Sequence, residues 1–194
     1  MRIISGKHRG RKIITSDKYI FRPTTTKTRE AIFSILTSGE FLNQDGDSVL
    51  DNATIMDLCC ASGSLGLEAI SRGAAKVIAI DIEQDSLNVV KENARAYGEI
   101  DNFIVIRADA CALPKAKISC DVVFIDPPYE KNIISFALES LHKQGWLKEN
   151  AVVVVELDNK QNIEANENFE ITDHRIYSKT QIYILSYIGT NEAV

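Results

Sequence analysis

Apolar residues along this chain fall into short runs of two kinds, and their alternation defines the elements. Nearly continuous apolar runs at 55–58, 77–81, 103–107, 122–125 and 151–156 predict strands buried on both faces. Between them, helical spacing covers 64–72, closed by Gly73, then 85–97, and 133–142 before the last of these strands. Alternating strand and helix at this spacing predicts a parallel sheet covered by helices on both faces. Such sheets bind ligands at the carboxyl ends of their strands, where the strand order reverses. Residues 170–176 and 180–188, separated by Tyr177-Ser178-Lys179, predict a terminal antiparallel hairpin instead. Upstream, Ile32, Phe33, Ile35 and Leu36 mark a helix framed by Thr24-Thr25-Thr26 and Gly39. A polar link follows at 43–54, and Ile3-Ile4 with Ile13-Ile14 bracket Gly6 and Gly10 as a short hairpin.

The chain has 194 residues, 45% apolar and 25% charged, which suits one ordinary globular domain. Four cysteines without a Cys-x-x-Cys pair, and three histidines without metal-ligand spacing, predict reduced thiols and no metal. No apolar run approaches membrane-spanning length, and no signal-peptide core follows Met1, so a cytoplasmic protein is expected. The net charge of −5 hides an asymmetry. Residues 1–29 hold nine Lys or Arg against one acid, Asp17. A basic segment on an acidic body predicts contact with phosphate, from Lys7, Arg9, Arg11 and Lys12 in the hairpin. Lys27 and Arg29 join them, since the dipole at a helix start disfavours cations unless an anionic partner is present.

Two segments carry the candidate chemistry. Asp57-Leu58-Cys59-Cys60-Ala61-Ser62-Gly63-Ser64-Leu65-Gly66 forms the first strand-to-helix turn, where Gly63 and Gly66 would let backbone approach a ligand. Asp81 ends the second strand, placed to accept both hydroxyls of a ribose. This is a dinucleotide fingerprint with Ala61 in place of its first glycine, so a NAD-binding protein is one reading. Asp57 argues against a pyrophosphate there and suits a cationic, methionine-like tail. The second segment, Asp126-Pro127-Pro128-Tyr129, follows the strand at 122–125. Two prolines stiffen it and remove two N–H donors. What remains is a carboxylate, a carbonyl and an aromatic face, which suit a flat ring bearing an amine. A nucleoside ligand with a cationic tail, an acceptor pair for an amine and a basic arm together describe S-adenosylmethionine-dependent N-methylation of nucleic acid. Each residue also has an ordinary alternative: Asp81 or Ser62 as a helix cap, Asp109 as a solvated loop acid.

The chain resembles the RsmD family of bacterial 16S rRNA guanine-N2 methyltransferases, within the class I methyltransferase fold. The resemblance rests on Met1-Arg2-Ile3-Ile4-Ser5-Gly6-Lys7-His8-Arg9-Gly10-Arg11-Lys12, Arg22-Pro23-Thr24 with Arg29-Glu30-Ala31-Ile32-Phe33, and Ser62-Gly63-Ser64-Leu65-Gly66-Leu67-Glu68-Ala69. It continues through Ser71-Arg72-Gly73-Ala74, Asp126-Pro127-Pro128-Tyr129, and Arg175, Tyr177 and Lys179-Thr180. It implies a Rossmann-like α/β fold with a mostly parallel seven-stranded sheet, a C-terminal antiparallel hairpin and a basic N-terminal hairpin. Residues 1–22 would form the RNA-binding extension and 23–194 the methyltransferase domain. Ser62 and Gly63 would approach the cofactor, Asp81 its ribose, Asp109 and Ala110 its adenine, and Arg22 and Thr24 its methionine end. Asp126, Pro127, Pro128 and Tyr129 would hold the target guanine, in 16S rRNA within an assembling small subunit, with the enzyme a monomer. Three positions depart from the family pattern: Ala61 and Ser178 replace glycine, and Asp81 replaces the longer glutamate. The alternatives are a DNA adenine-N6 or cytosine-N4 methyltransferase, which uses the same turn, or a non-catalytic nucleic-acid-binding protein.

Overall fold

The inner apolar runs become strands covered on both sides, while the run at 103–107 forms an edge strand that is only partly buried. The computed structural model describes residues 1–15, 25–42, 46–127 and 133–189. Its strands are β1 (Thr54–Leu58), β2 (Lys76–Asp81), β3 (Phe103–Arg107), β4 (Cys120–Ile125), β5 (Leu147–Asp158), β6 (Phe169–Tyr177) and β7 (Thr180–Tyr187). Its α-helices are α1 (Thr26–Leu36), α2 (Ser64–Ser71), α3 (Gln84–Tyr97) and α4 (Ile133–Lys143). The seven strands form one sheet in the order β3-β2-β1-β4-β5-β7-β6. All neighbours are parallel except β7, which runs antiparallel to both β5 and β6. The chain winds outward from β1 through β2 to β3, then returns to place β4 on β1's other side. The reversal therefore falls between β1 and β4.

Alternate residues along the strands feed two cores. Ile55, Val77, Ala79, Val122 and Phe124 pack with Phe33, Leu67 and Val90 from α1, α2 and α3. Met56, Leu58, Ile78, Val123 and Ile125 pack on the opposite face with Ala137, Leu138 and Leu141 of α4. Helices do cover both faces, but unequally. Between β3 and β4 the chain runs as a loop, pinned where Leu113 N–H donates to Ser140 Oγ (2.8 Å) and Trp146 Nε1–H to the Pro114 carbonyl (2.8 Å). Proline in that segment rules out a helix continuing through it.

The N-terminal hairpin is docked rather than free. Arg2 and Lys12 form an antiparallel bridge. Ile3 and Ile13 are buried in the same core as α1 and α2, each contributing about 1.5–3 kcal/mol by burial. Gly6 has φ +81°, and a Cβ there would lie 1.7 Å from the Ser71 carbonyl oxygen. Only glycine lets the arm lie this close to the end of α2.

Candidate active site

Strand register gathers the candidate residues at one edge. Leu58 pairs with Ile80 on one side and with Ile125 on the other, so β1, β2 and β4 end level. Asp81 and Asp126 therefore stand on either side of Cys59, the first residue of the β1–α2 turn. Asp57 points into the same region from within β1. It is buried, and its Oδ2 accepts a bond from Gly66 N–H (2.9 Å). Burial pushes its pKa up to about 8; the Gly66 bond opposes this, and the nearby charges of Asp126 and Asp81 add to it. Asp81 and Asp126 make a negative pole at the strand edge, which helps hold the buried Asp57 protonated near neutral pH and which a cationic ligand would relieve.

Asp81 holds the turn as well as facing the site. Its Oδ2 accepts from Ala61 N–H (2.9 Å) and its Oδ1 from Glu83 N–H (2.9 Å). It is not the cap of α3, a position Glu83 occupies. A carboxylate has about four lone-pair positions, so acceptor capacity remains for a ribose. Ser62 does not cap α2 either; Gly63 does, at φ 73°. Gly66 serves packing rather than ligand approach, because a Cβ there would lie 2.7 Å from Val77 and 3.2 Å from Asp57 Oδ2. Asp109 and Ala110 follow the end of β3, with Asp109 Oδ1 accepting from Cys111 N–H (2.9 Å) and Ala110 buried.

Backbone conformation bears on two departures from the family pattern, Ala61 in this turn and Ser178 between β6 and β7. Ala61 has φ 46° and Ser178 φ 59°, left-handed conformations that favour glycine. A non-glycine residue there costs on the order of 1–3 kcal/mol, offset in part by the lower entropy of its unfolded chain. Ala61→Gly should therefore raise the free energy of unfolding by about 1 kcal/mol, read from urea unfolding. A variant less stable than the parent would contradict this account.

At the end of β4, Asp126 is half-buried and Pro127 buried. Pro128, Tyr129, Arg22 and Thr24 lie outside the described residues. Burial raises the thiol pKa of Cys59 and of Cys60, and the surrounding aspartates push both further up. Burial, with Asp109, raises Cys111 as well. Protonated thiols are poor nucleophiles, so these cysteines are not set up as nucleophiles, and the side chains at the edge present hydrogen-bond acceptors.

The basic residues divide into two groups. Arg9, Lys12 and Lys27 are exposed. Lys7 and Arg11 are exposed but also fasten the arm: Lys7 Nζ meets Glu99 Oε1 at 2.8 Å, and the Arg11 guanidinium lies 4.3 Å over the Tyr97 ring. Burial alone would raise the Glu99 pKa, yet bonds from Lys7, His8 and Asn102 hold it below the usual glutamate value. Arg29 does not fit the expectation of RNA contact. Its side chain is fully buried, and its Nη2 donates to the Arg2 carbonyl (2.6 Å) with Glu68 3.9 Å from Nε. Burial lowers its pKa, and Glu68 opposes that shift.

Sequence patterns passed over Glu68 and Asn93, which organise the arm. Glu68 is fully buried in α2 and accepts from Ile4 N–H (2.8 Å), Ser5 N–H (3.0 Å) and Arg72 Nε (2.8 Å). Asn93, fully buried in α3, bonds to Ile14 and Ser62. Asn93 had a visible signal, a polar residue whose helical neighbours Val89, Val90, Ala96 and Tyr97 are apolar or aromatic, whereas Glu68, flanked at helical spacing by Ser64, Leu65, Ser71 and Arg72, had none.

The fold, the carboxyl-edge turn and the Asp-Pro corner define a class I methyltransferase. A family model described as conserved hypothetical protein 95 matches residues 1–186, and the chain belongs to that family, the RsmD-type methyltransferases. An uncharacterized methylase of Rickettsia prowazekii is 31% identical over 233 residues, spanning 96% of this chain and 98% of its own. A ribosomal RNA small subunit methyltransferase D of Buchnera aphidicola is 32% identical over 184 residues, spanning 94% and 91%. A solved structure described as a putative methyltransferase from Escherichia coli superposes with a TM-score of 0.80 at 26% identity, covering 98% and 99% of the two chains. Membership removes the NAD-binding reading. The methyl donor of the class is S-adenosylmethionine, and the residues present fit it: a negative pole for its cationic end and a carboxylate at the end of β2 for its ribose. Among the described residues, no helix is long and apolar enough to cross a membrane.

Proposed function

We propose that this protein transfers the methyl group of S-adenosylmethionine to the exocyclic N2 amine of a guanine in 16S rRNA, within the assembling small subunit. The observation that carries the reading is the level row formed by Asp81, the Cys59–Gly63 turn and Asp126 at the switch point between β1 and β4. It sets an amine-binding corner beside a nucleoside-binding turn. The small-subunit rRNA methyltransferase among the relatives supports the choice of RNA, and the exposed Arg9, Lys12 and Lys27 supply phosphate contacts.

When bound, the cofactor supplies a methyl group on a sulfonium, ready for in-line displacement. The protein's part is mostly positioning. The Asp126 carboxylate and the Pro127 carbonyl accept the two amine hydrogens of a base drawn from its stack. Those bonds draw the nitrogen from planarity and aim its lone pair at the methyl carbon. As the N–C bond forms and the C–S bond breaks, the nitrogen becomes acidic, and Asp126 takes its proton directly or through water. Tyr129, next in the chain after Pro128, would stack on the base. Arg22 and Thr24 would close over the methionine end, with Asp109 and Ala110 beside the adenine.

The test is nucleoside analysis of 16S rRNA from cells lacking the gene. One N2-methylguanosine should disappear by mass spectrometry and return with the wild-type gene. An unchanged N2-methylguanosine content, with a different methylated nucleoside lost, would assign the enzyme another target.

A further inference from the structure

Asn93 spans two parts of the molecule that the proposed reaction uses separately. Its Oδ1 accepts from Ile14 N–H at 2.8 Å. Its Nδ2 donates to the Ile14 carbonyl at 2.9 Å and to the Ser62 carbonyl at 3.1 Å. Ile14 lies where the basic arm leaves its hairpin; Ser62 lies in the turn at the strand edge. The side chain is fully buried, while Ile14 and Ser62 are half-buried.

A carboxamide is asymmetric: its oxygen only accepts and its nitrogen only donates. Ile14 presents a donor and an acceptor together, which dictates which end of the amide faces it. The remaining amide hydrogen is then directed at Ser62. The turn depends on such outside bonds, since Cys59 (φ 61°) and Ala61 (φ 46°) both hold left-handed conformations without being glycine. Asp81 fixes the turn at Ala61 N–H, and Asn93 fixes it one residue later. With the arm displaced, only the Ser62 carbonyl would orient the amide, and its donor would be less firmly held.

We propose that Asn93 is a positioning residue that couples the basic arm to the cofactor turn, so that RNA on the arm and cofactor in the turn strengthen each other's binding. The identity of the two ligands rests on the functional reading above. RNA held by Arg9 and Lys12 stiffens the arm, which orders the amide and lowers the cost of ordering the turn. Linkage requires the effect to be reciprocal.

The experiment is a binding cycle on the full-length protein with S-adenosylhomocysteine and a transcript of 16S rRNA. The wild-type affinity for S-adenosylhomocysteine should rise about fivefold or more when RNA is present. Asn93→Asp keeps an acceptor for Ile14 N–H but sets an oxygen against the Ser62 carbonyl. In it the RNA effect should fall to about twofold or less. Ser71→Ala is the control. It removes bonds to His8 N–H and the Ser5 carbonyl in the same arm without touching the turn, and it should keep the coupling. Coupling retained in Asn93→Asp overturns the inference. So does wild-type protein that binds both ligands independently, and in both cases the functional reading stands. Wild-type protein that binds neither ligand overturns both. If Asn93→Asp does not fold, hydrogen exchange on the wild type decides. Saturating S-adenosylhomocysteine should slow exchange at the Ile14 amide several-fold, and an unchanged rate there overturns the inference.

Discussion

Asp126→Asn should lower methyl transfer by about 10²–10⁴-fold, the usual contribution of a positioned proton acceptor, while cofactor binding persists. Asparagine keeps the size of the side chain and one acceptor, but it loses the charge that takes the proton. Its NH2 end would also face the substrate amine, donor against donor. Asp126 is half-buried and its charge raises the pKa of Asp57, so urea unfolding of the variant is measured beside its activity to separate lost chemistry from lost stability. Single-turnover transfer of a labelled methyl group to RNA, alongside titration with S-adenosylhomocysteine, separates the two effects. Activity within a few-fold of wild type would remove the carboxylate from the chemistry.

Glu68→Ala should cost about 3–5 kcal/mol of stability, the usual penalty for breaking a buried charge pair. Its carboxylate accepts two arm N–H groups and the Arg72 guanidinium, and it is the acidic neighbour of buried Arg29. Removing it leaves a guanidinium without its nearby counter-charge in the interior and two backbone donors without their acceptor. Glu68→Gln should cost less, because one carbonyl oxygen still accepts. Urea unfolding of both variants measures this. A loss below about 1 kcal/mol for the alanine variant would mean that the arm is held by its other contacts, among them buried Ile3 and Ile13, and not by Glu68.

Much of this architecture was legible because strands buried on both faces leave unbroken apolar runs. Residues 55–58, 77–81, 103–107 and 122–125 fall within or on β1, β2, β3 and β4. β5 starts earlier than its apolar run. Lys148, Glu149 and Asn150 are exposed, and the register shifts between Cys120 and Val122, so the strand bulges through polar residues that read as a loop. Asn150 has φ 59°, a local sign of that irregularity. Arg29 was misplaced because charge was weighed above helical phase. It sits one turn before Ile32 and Phe33, on the buried face of α1. The aspartates of the site were legible as strand-end acids. Their gathering was not, because register between β1, β2 and β4 is a property of pairing that no single run encodes.

The fastening of the arm has a consequence for synthesis. Its partners lie far along the chain: Ser5 bonds Glu68 across 63 residues, Ile14 bonds Asn93 across 79, and His8 bonds Glu99 across 91. The arm is thus made well before the residues that fasten it, since long-range contacts close only after the intervening chain exists. Until the third helix has emerged, the nascent protein carries a cluster of positive charge with only the α2 half of its scaffold to aim it.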